Sequence, residues 1–460
     1  MINGDRVLNT LLERGGLFGD LFVEERTYTH LQLESSRFEK IERGIDNGVG
    51  LRVVKPWKTF FASTNSFEDE DLVQVARELS KFSKGEKRDH VTGRIALKSH
   101  YSFAIDSPAD EIGLKQKLDM LQRMDSMARA AEKRIKQVRI VYRDTKQQIG
   151  VHSSDGNSIE DKRRQVVLNL LVIGDKDGEL YTAYESMGGF YGFDFFSDER
   201  VEGFVKTVVT RLTRLFKAIE APMGRKTVVL ASEAGGTMIH EAIGHGLEAD
   251  LALEGLSCYK GMLGEKVGSP LISVVDDATL LNMRGTYAYD DDGIASSRTV
   301  LVQDGVLQNY LFDRFYALKH EKRPTGNGRR ESYRFKPIPR MSNTMILPGK
   351  DDPARIIASV DDGVYVVRMG GGQVDTVRGD FVFEIQEGYT IEKGKLGRMI
   401  KNATMMDNGL EVLKKIDMVG NDLGFGIGTC GKDGQGVPVS DAQPTLRIPG
   451  VVVGGRSRTA

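Results

Sequence analysis

The segment Thr237-Met-Ile-His-Glu-Ala-Ile-Gly-His-Gly-Leu-Glu-Ala-Asp250 carries two histidines and a glutamate in the spacing His240-Glu241-x-x-x-His245. It is the one helical pattern that stands out in a half of the chain otherwise written in short strands, so its reading decides the architecture. Neutral imidazoles bind zinc well, and a carboxylate beside a ligand histidine can take a proton from an activated water. The familiar zinc-peptidase motif, H-E-x-x-H, sets its histidines one helical turn apart. A regular helix advances about 100° per residue, so histidines five apart diverge by about 140° and cannot share an ion. A metal site therefore requires the helix to deform between them, by a π-bulge or by ending after Ile243. Gly244 and Gly246 flank His245 and tolerate either distortion. The plainer reading is a pair of helix histidines satisfied by packing or solvent.

A catalytic zinc takes three protein ligands and keeps an open position. Glu248 and Asp250 lie close by in sequence, and the two cysteines, Cys258 and Cys430, lie further off. Cys430 sits in Gly-Ile-Gly-Thr-Cys-Gly-Lys-Asp-Gly-Gln-Gly, which reads as a glycine-rich loop offering a thiolate. Cys258 reads as an ordinary buried thiol. On chemistry alone Cys430 and Glu248 rank equal as third ligand.

Working outward, short strands are expected over residues 228–231, 272–275, 300–302, 364–367 and 381–385, making an antiparallel β-rich domain with the metal-binding helix embedded in it. The first half mixes strands and helices. Strands are expected at 21–34, 138–142 and 166–173, with two more between Gly50 and Thr64. Gly44 and Asn47-Gly48 read as punctuation before that pair. Ser66 resembles a helix cap, followed by a face of Leu72, Val75, Ala76, Leu79 and Phe82. Further helices are expected at 108–133 and 198–219. Ala221-Pro222 ends the second and marks the boundary between domains 1–222 and 223–460. The fold class is α+β, with no internal repeat.

The 460 residues include 64 basic and 65 acidic side chains, a net charge of −1. That balance disfavours a general nucleic-acid binder. The basic stretches 133–139 and 162–164 read as solvated faces. Two cysteines make no disulfide framework, no basic-then-apolar leader opens the chain, and no apolar run approaches membrane-spanning length. A cytoplasmic location is the expectation.

Six stretches together resemble the TldD/PmbA family: 240–248, Val274-Val-Asp-Asp277, Tyr289-Asp-Asp-Asp-Gly293, Pro324-Thr-Gly-Asn-Gly-Arg-Arg-Glu-Ser332, Pro339-Arg-Met-Ser-Asn-Thr344 and Thr429-Cys-Gly-Lys-Asp-Gly-Gln435. They occur in the family's order, and the complete H-E-x-x-x-H marks the metal-bearing type. The resemblance implies a metallopeptidase whose divalent metal, zinc by expectation, is held by His240, His245 and Cys430, with Glu241 as general base. Glu248 then orients an imidazole or makes a structural contact. The resemblance also implies a dimer, formed with itself or with a metal-less relative, acting on unfolded or short peptides. Candidates for stabilising the oxyanion are His320, Tyr289 and Arg329. Met369-Gly-Gly-Gly-Gln-Val-Asp375 reads as a loop permitting close backbone approach, and the strand-rich domain invites capture of a peptide as an added strand. Competing readings are a non-hydrolytic regulatory protein of the gyrase-modulator kind and a small-molecule amidohydrolase.

Overall fold

The structure is a computed structural model that describes residues 2–83, 85, 95–97 (backbone only) and 105–455. The first half is one sheet of long antiparallel strands: β1 (Phe18–Glu34), β2 (Arg37–Lys55), β3 (Lys58–Thr64), β4 (Ile135–Ser153), β5 (Asn157–Lys176) and β6 (Glu179–Gly189). Their order is β3-β2-β1-β4-β5-β6, with Ile95–Leu97 pairing parallel to β5. Alternating burial, as in β4, sends one face to the core. Helices α1 (Gly4–Leu11) and α2 (Asp69–Ser80) cover β1–β3, while α3 (Leu114–Ala131) and α4 (Asp198–Leu215) cover β4–β6.

The strands run longer than the sequence suggests. β2 passes straight through Gly44 and Asn47-Gly48, and β4 and β5 meet at a tight turn over residues 154–156. Two helix details also differ. Glu68 occupies the cap position of α2, with Ser66 Oγ accepting from its backbone amide. Phe82 lies beyond that helix and is 63% exposed rather than on its buried face.

The second half contains β7 (Gly224–Leu230), β8 (Val274–Asp277), β9 (Arg298–Gln303), β10 (Asn343–Ile346), β11 (Asp362–Asp375), β12 (Asp380–Glu392), β13 (Ala403–Asn408), β14 (Gly424–Lys432), β15 (Gln435–Gln443) and β16 (Leu446–Gly455). Strands β11-β7-β16-β13-β12 close on themselves through β11–β12, forming a barrel. Strands β9-β8-β10-β15-β14 form a second sheet. Most pairings are antiparallel, as expected, but β10–β15 and β11–β7 are parallel. Ile219–Glu220, after α4, pairs with Lys395–Lys401 beside the barrel.

Both cysteine- and glycine-rich "loops" of the sequence are strands. Cys430 lies in β14 opposite Val437, and Met369–Asp375 forms the bulged end of β11. The helical segment 237–247 packs Met238, Ile239, Ala242, Ile243 and Leu247 into the core between barrel and second sheet. Among the described residues no helix is long and apolar enough to cross a membrane.

Candidate metal centre

Beyond β7 the chain turns through Gly235 and Gly236, at φ +74° and +75°. Gly236 serves there both by conformation and by space: a Cβ would stand 2.5 Å from the Ala442 amide nitrogen. Thr237–Ile239 begins a helix, His240–Gly244 widens into a π-turn, and His245–Leu247 tightens into a 3-10 turn. The His245 amide donates to the His240 carbonyl, the i→i+5 bond that defines the wider turn. This deformation closes the angular gap in the five-residue spacing. The two imidazoles stand edge to face, with ring centres 4.9 Å apart.

Gly244 has φ −56° and ψ −58°, so its conformational freedom is not what the site uses. What matters is the missing Cβ, which would sit 2.0 Å from Met341 Sδ. Gly246 likewise leaves room for the Tyr259 ring. Tyr259 supports the irregular turn by donating its hydroxyl to the Ala242 carbonyl at 2.8 Å, and Ser257 Oγ donates to the Gly246 carbonyl at 2.6 Å. These bonds satisfy carbonyls that a regular ladder would have used.

The structure brings His240, His245 and Cys430 together: all three are buried, and each offers a ligand atom within 4.8 Å of the other two. Each imidazole is fixed by a carboxylate on Nδ1. Asp441 Oδ1 lies 2.8 Å from His240 Nδ1, and Glu248 Oε2 lies 2.9 Å from His245 Nδ1. This leaves the second nitrogen of each ring for the thiol side. Cys430 Sγ and His245 Nε2 are 3.5 Å apart. A tetrahedral zinc with ordinary N and S bond lengths separates two such ligands by about 3.5 Å. The donor set and spacing therefore fit a zinc ion.

Glu248 stands behind His245 rather than beside Cys430. Lys432 Nζ reaches it at 3.0 Å and also holds Asp250 and the Pro339 carbonyl. Arg340 is fully buried nearby and donates to the backbone carbonyl of Cys430. Burial disfavours a charged Glu248, but Lys432 and then His245 outweigh it and hold the carboxyl down, at about 2. Burial likewise opposes an ionised Cys430, yet the two imidazoles lower the thiol to about 5. His245 is raised to about 10, Glu248 and Cys430 overcoming burial, and His240 is raised by Asp441. The pocket is built to keep the thiol deprotonated, the form in which sulfur binds metal.

Glu241, on the same π-turn, lines a cavity of about 430 Å³ with Thr237, His240 and Asp441. Burial pushes its carboxyl up, with partial offset from the two imidazoles. A carboxyl group so placed, beside His240 and open to the cavity, can accept and return a proton there. Tyr184–Gly188 of β6 and Phe425–Thr429 of β14 line the cavity too, and each strand pairs on one side only among the described residues.

None of the expected oxyanion groups reaches this cavity. Arg329 is buried and donates to the carbonyls of Met341 and Pro438. Tyr289 packs with Phe22, Ile149 and Tyr333, and His320 stacks on Tyr316. Arg368 does line the cavity, ion-paired with Glu185, and neither residue lies in a motif that marks it in sequence. Asp441 was equally unmarked, whereas Lys432 and Arg340 sit inside two of the quoted stretches without a role evident from spacing. Cys258 is half-buried, and burial lifts its thiol to about 11. Of the basic stretches, 133–139 presents Arg134 and Arg139 to solvent. Arg163, in contrast, is held between Asp161 and Asp291.

Family models match the chain in three consecutive blocks. They are described as PmbA/TldA metallopeptidase domain 1 (residues 19–82), central domain (107–216) and C-terminal domain (223–455). A TldD-homologue metalloprotease of Haemophilus influenzae is 36% identical over 95% of this chain and 93% of its own length. A protein of Saccharolobus solfataricus named as a zinc metalloprotease TldD homologue is 27% identical over 96% of this chain and 98% of its own. A solved structure from Thermotoga maritima, named for modulation of a DNA gyrase, superposes with a TM-score of 0.79. It is 20% identical and covers 95% of this chain and 96% of its own, a likeness of fold.

Proposed function

The chain belongs to the PmbA/TldA metallopeptidase family, and on that premise we propose that it hydrolyses peptide bonds in unfolded or short peptides, using one zinc ion held by His240, His245 and Cys430. The observation that carries this reading is the convergence of those three buried donors beside a cavity whose wall includes His240 and Glu241. A divalent metal bound there supplies Lewis-acid activation of water and of the peptide carbonyl. Asp441 and Glu248 lock the imidazole tautomers. Arg340 and Lys432 fix the strand that bears the thiolate. Glu241 accepts the water proton and returns it to the departing amine.

Two sheet edges, from β6 and β14, face this cavity. Such edges recognise an extended peptide through its backbone with little demand on side chains. That suits a substrate without fixed sequence; on the family resemblance, the protein is further proposed to work in the cytoplasm as a dimer, with itself or with a metal-less relative. A gyrase-modulator role without hydrolysis leaves the three-donor cluster and its carboxylate supports without a purpose.

The test is elemental analysis and peptide digestion on the same preparation. Purified protein should bind one zinc and cleave an unfolded polypeptide, and Glu241→Gln should keep the zinc while losing cleavage. Protein that neither holds nor takes up metal refutes the proposal, as does a Glu241→Gln variant cleaving at the normal rate.

A further inference from the structure

A second chamber, of about 390 Å³, lies between the first sheet and the β14–β15 hairpin. Six arginines line it (Arg26, Arg143, Arg163, Arg284, Arg329 and Arg330) against two carboxylates, Asp291 and Glu331. Those carboxylates are already engaged. Asp291 accepts from Arg163 and from the Arg330 amide, and Glu331 accepts from the Gly436 amide. Arg26 is paired with Asp46. Arg284 donates to neutral oxygens only, the Gly428 carbonyl and Thr429 Oγ1, and Arg329 to two carbonyls. Arg143 is exposed, with neither an ion pair nor a hydrogen bond among the described residues. In Arg26, Arg284 and Arg330 the Nε atom is closed off from solvent and has no hydrogen-bond partner.

Arg26 and Arg163 thus have carboxylate partners, whereas Arg143, Arg284 and Arg329 have none among the described residues, and that excess of positive charge is unfavourable unless an anion completes it. Burial first, then the charges of Arg329 and Arg143, hold the Arg284 guanidinium down, at about 10. Guanidinium groups match carboxylates in shape and bind them in paired hydrogen bonds.

The position of the chamber tells which carboxylate is meant. Thr429, one residue before Cys430, lines both chambers. Met283 and Val439 face the metal cavity, while their neighbours Arg284 and Pro438 face the arginines. A chain lying in the metal cavity therefore has the arginine chamber next to it, across one residue of β14. We propose that this chamber is a carboxylate subsite, which takes an acidic group of the bound peptide, either its C-terminal carboxylate or a Glu or Asp side chain. The inference rests on the peptidase reading for the nature of the ligand, but its test does not need turnover.

Binding is measured by calorimetry on the full-length, zinc-loaded Glu241→Gln protein. Four versions of one octapeptide are compared: acidic with a free C-terminus, amidated, Glu→Gln, and both. The doubly neutral peptide should bind about 10-fold or more weakly than the parent, the scale of one charge-assisted contact. Arg143→Gln and Arg284→Gln should each shrink that gap to about 2-fold. Among the described residues the Arg143 side chain has no ion pair or hydrogen bond to lose, so its variant should keep the fold. Loss on amidation alone assigns the C-terminus, and loss on Glu→Gln alone assigns a side chain; either supports the subsite. Equal binding of all four peptides, or a gap that survives in both variants, overturns it. If the preference holds while the wild-type chain cleaves none of the peptides, the subsite stands and the peptidase reading falls. If all are cleaved and bound alike, the reverse follows.

Discussion

Gly244→Ala tests whether the proposed metal centre depends on how closely the π-turn packs against Met341 beneath it. The new Cβ would meet Met341 Sδ at 2.0 Å and Cε at 3.0 Å. Ordinary contact needs about 3.5–4.0 Å, so either the helix or the methionine must move by more than 1 Å, roughly. Met341 is fully buried and has no solvent to swing into. Overpacking of this kind costs about 1–3 kcal/mol. The displaced turn carries His245 away from Cys430, so zinc affinity should fall about 10–100-fold, the range for losing a ligand's support. Met341→Ala alone should cost about 2–5 kcal/mol by leaving a cavity. In the double variant the new methyl enters that cavity. Its total cost should then be at least about 1 kcal/mol below the sum of the singles, and much of the zinc affinity should return. Denaturant unfolding and zinc competition with a chromogenic chelator measure both quantities. Strict additivity, or a Gly244→Ala protein with unchanged stability and zinc affinity, would refute this account of the glycine.

Cys430→Ala should abolish zinc binding in the competition assay while the chain stays folded by circular dichroism, since the side chain removed is small. In zinc-free protein the Cys430 thiol, held at about 5, should be ionised at neutral pH. Thiolate absorbance near 240 nm should be present above that value and fade as pH falls through it, and His245→Gln should move the transition toward the ordinary thiol range. Asp441→Asn should weaken zinc about 10–100-fold with little change in fold, because the amide can still meet His240 but no longer favours the metal-binding form as strongly; unchanged affinity by calorimetry would remove Asp441 from the site. Asp292→Asn strips charge from the fully buried Arg52–Asp20–Asp292 group that joins the two halves. Breaking such a pair costs about 3–5 kcal/mol, visible as a lower unfolding midpoint.

The candidate site was largely legible because its central constraint is local. A five-residue spacing on a helix has few metal-compatible geometries, and the π-turn is one of them. Cys430 was legible only through its surroundings, and those were misread in form. A glycine run reads as a loop, whereas Gly424 and Gly426 are places where β14 presses against Ser232 and Gly235. The same error hid the length of β2. Gly44 and Gly48 are not turn residues there; a Cβ at Gly44 would strike the Tyr28 ring, and one at Gly48 the Tyr333 ring. In β11, Gly372 makes way for Phe383. Glycine in a strand marks close approach as readily as it marks a bend, and only the partner, far away in sequence, decides which. Asp441 was illegible for the same reason: it meets His240 across 201 positions.

The remaining family-like stretches carry no ligand, and their chemistry explains why they accompany the ones that do. Asp276 is buried and accepts from the Ser342 amide and hydroxyl, from Thr344 and from Asn327. Three of those bonds pin residues 339–344 directly, and Asn327 adds a fourth by also donating to the Arg340 carbonyl. Within that segment Pro339 accepts from Lys432, Arg340 grips the Cys430 carbonyl, and Met341 fills the space left by Gly244. One buried carboxylate thus helps to set the position of the segment that touches both Cys430 and the histidine-bearing turn. Burial pushes the Asp276 carboxyl up, and the hydrogen bonds from Ser342, Thr344 and Asn327 work against that shift. Asp276→Asn should therefore lower zinc affinity although the residue touches no ligand, and Ser342→Ala should do so by a smaller step. If either variant unfolds more easily yet binds zinc with full affinity, Asp276 serves stability alone and the metal centre is held from elsewhere.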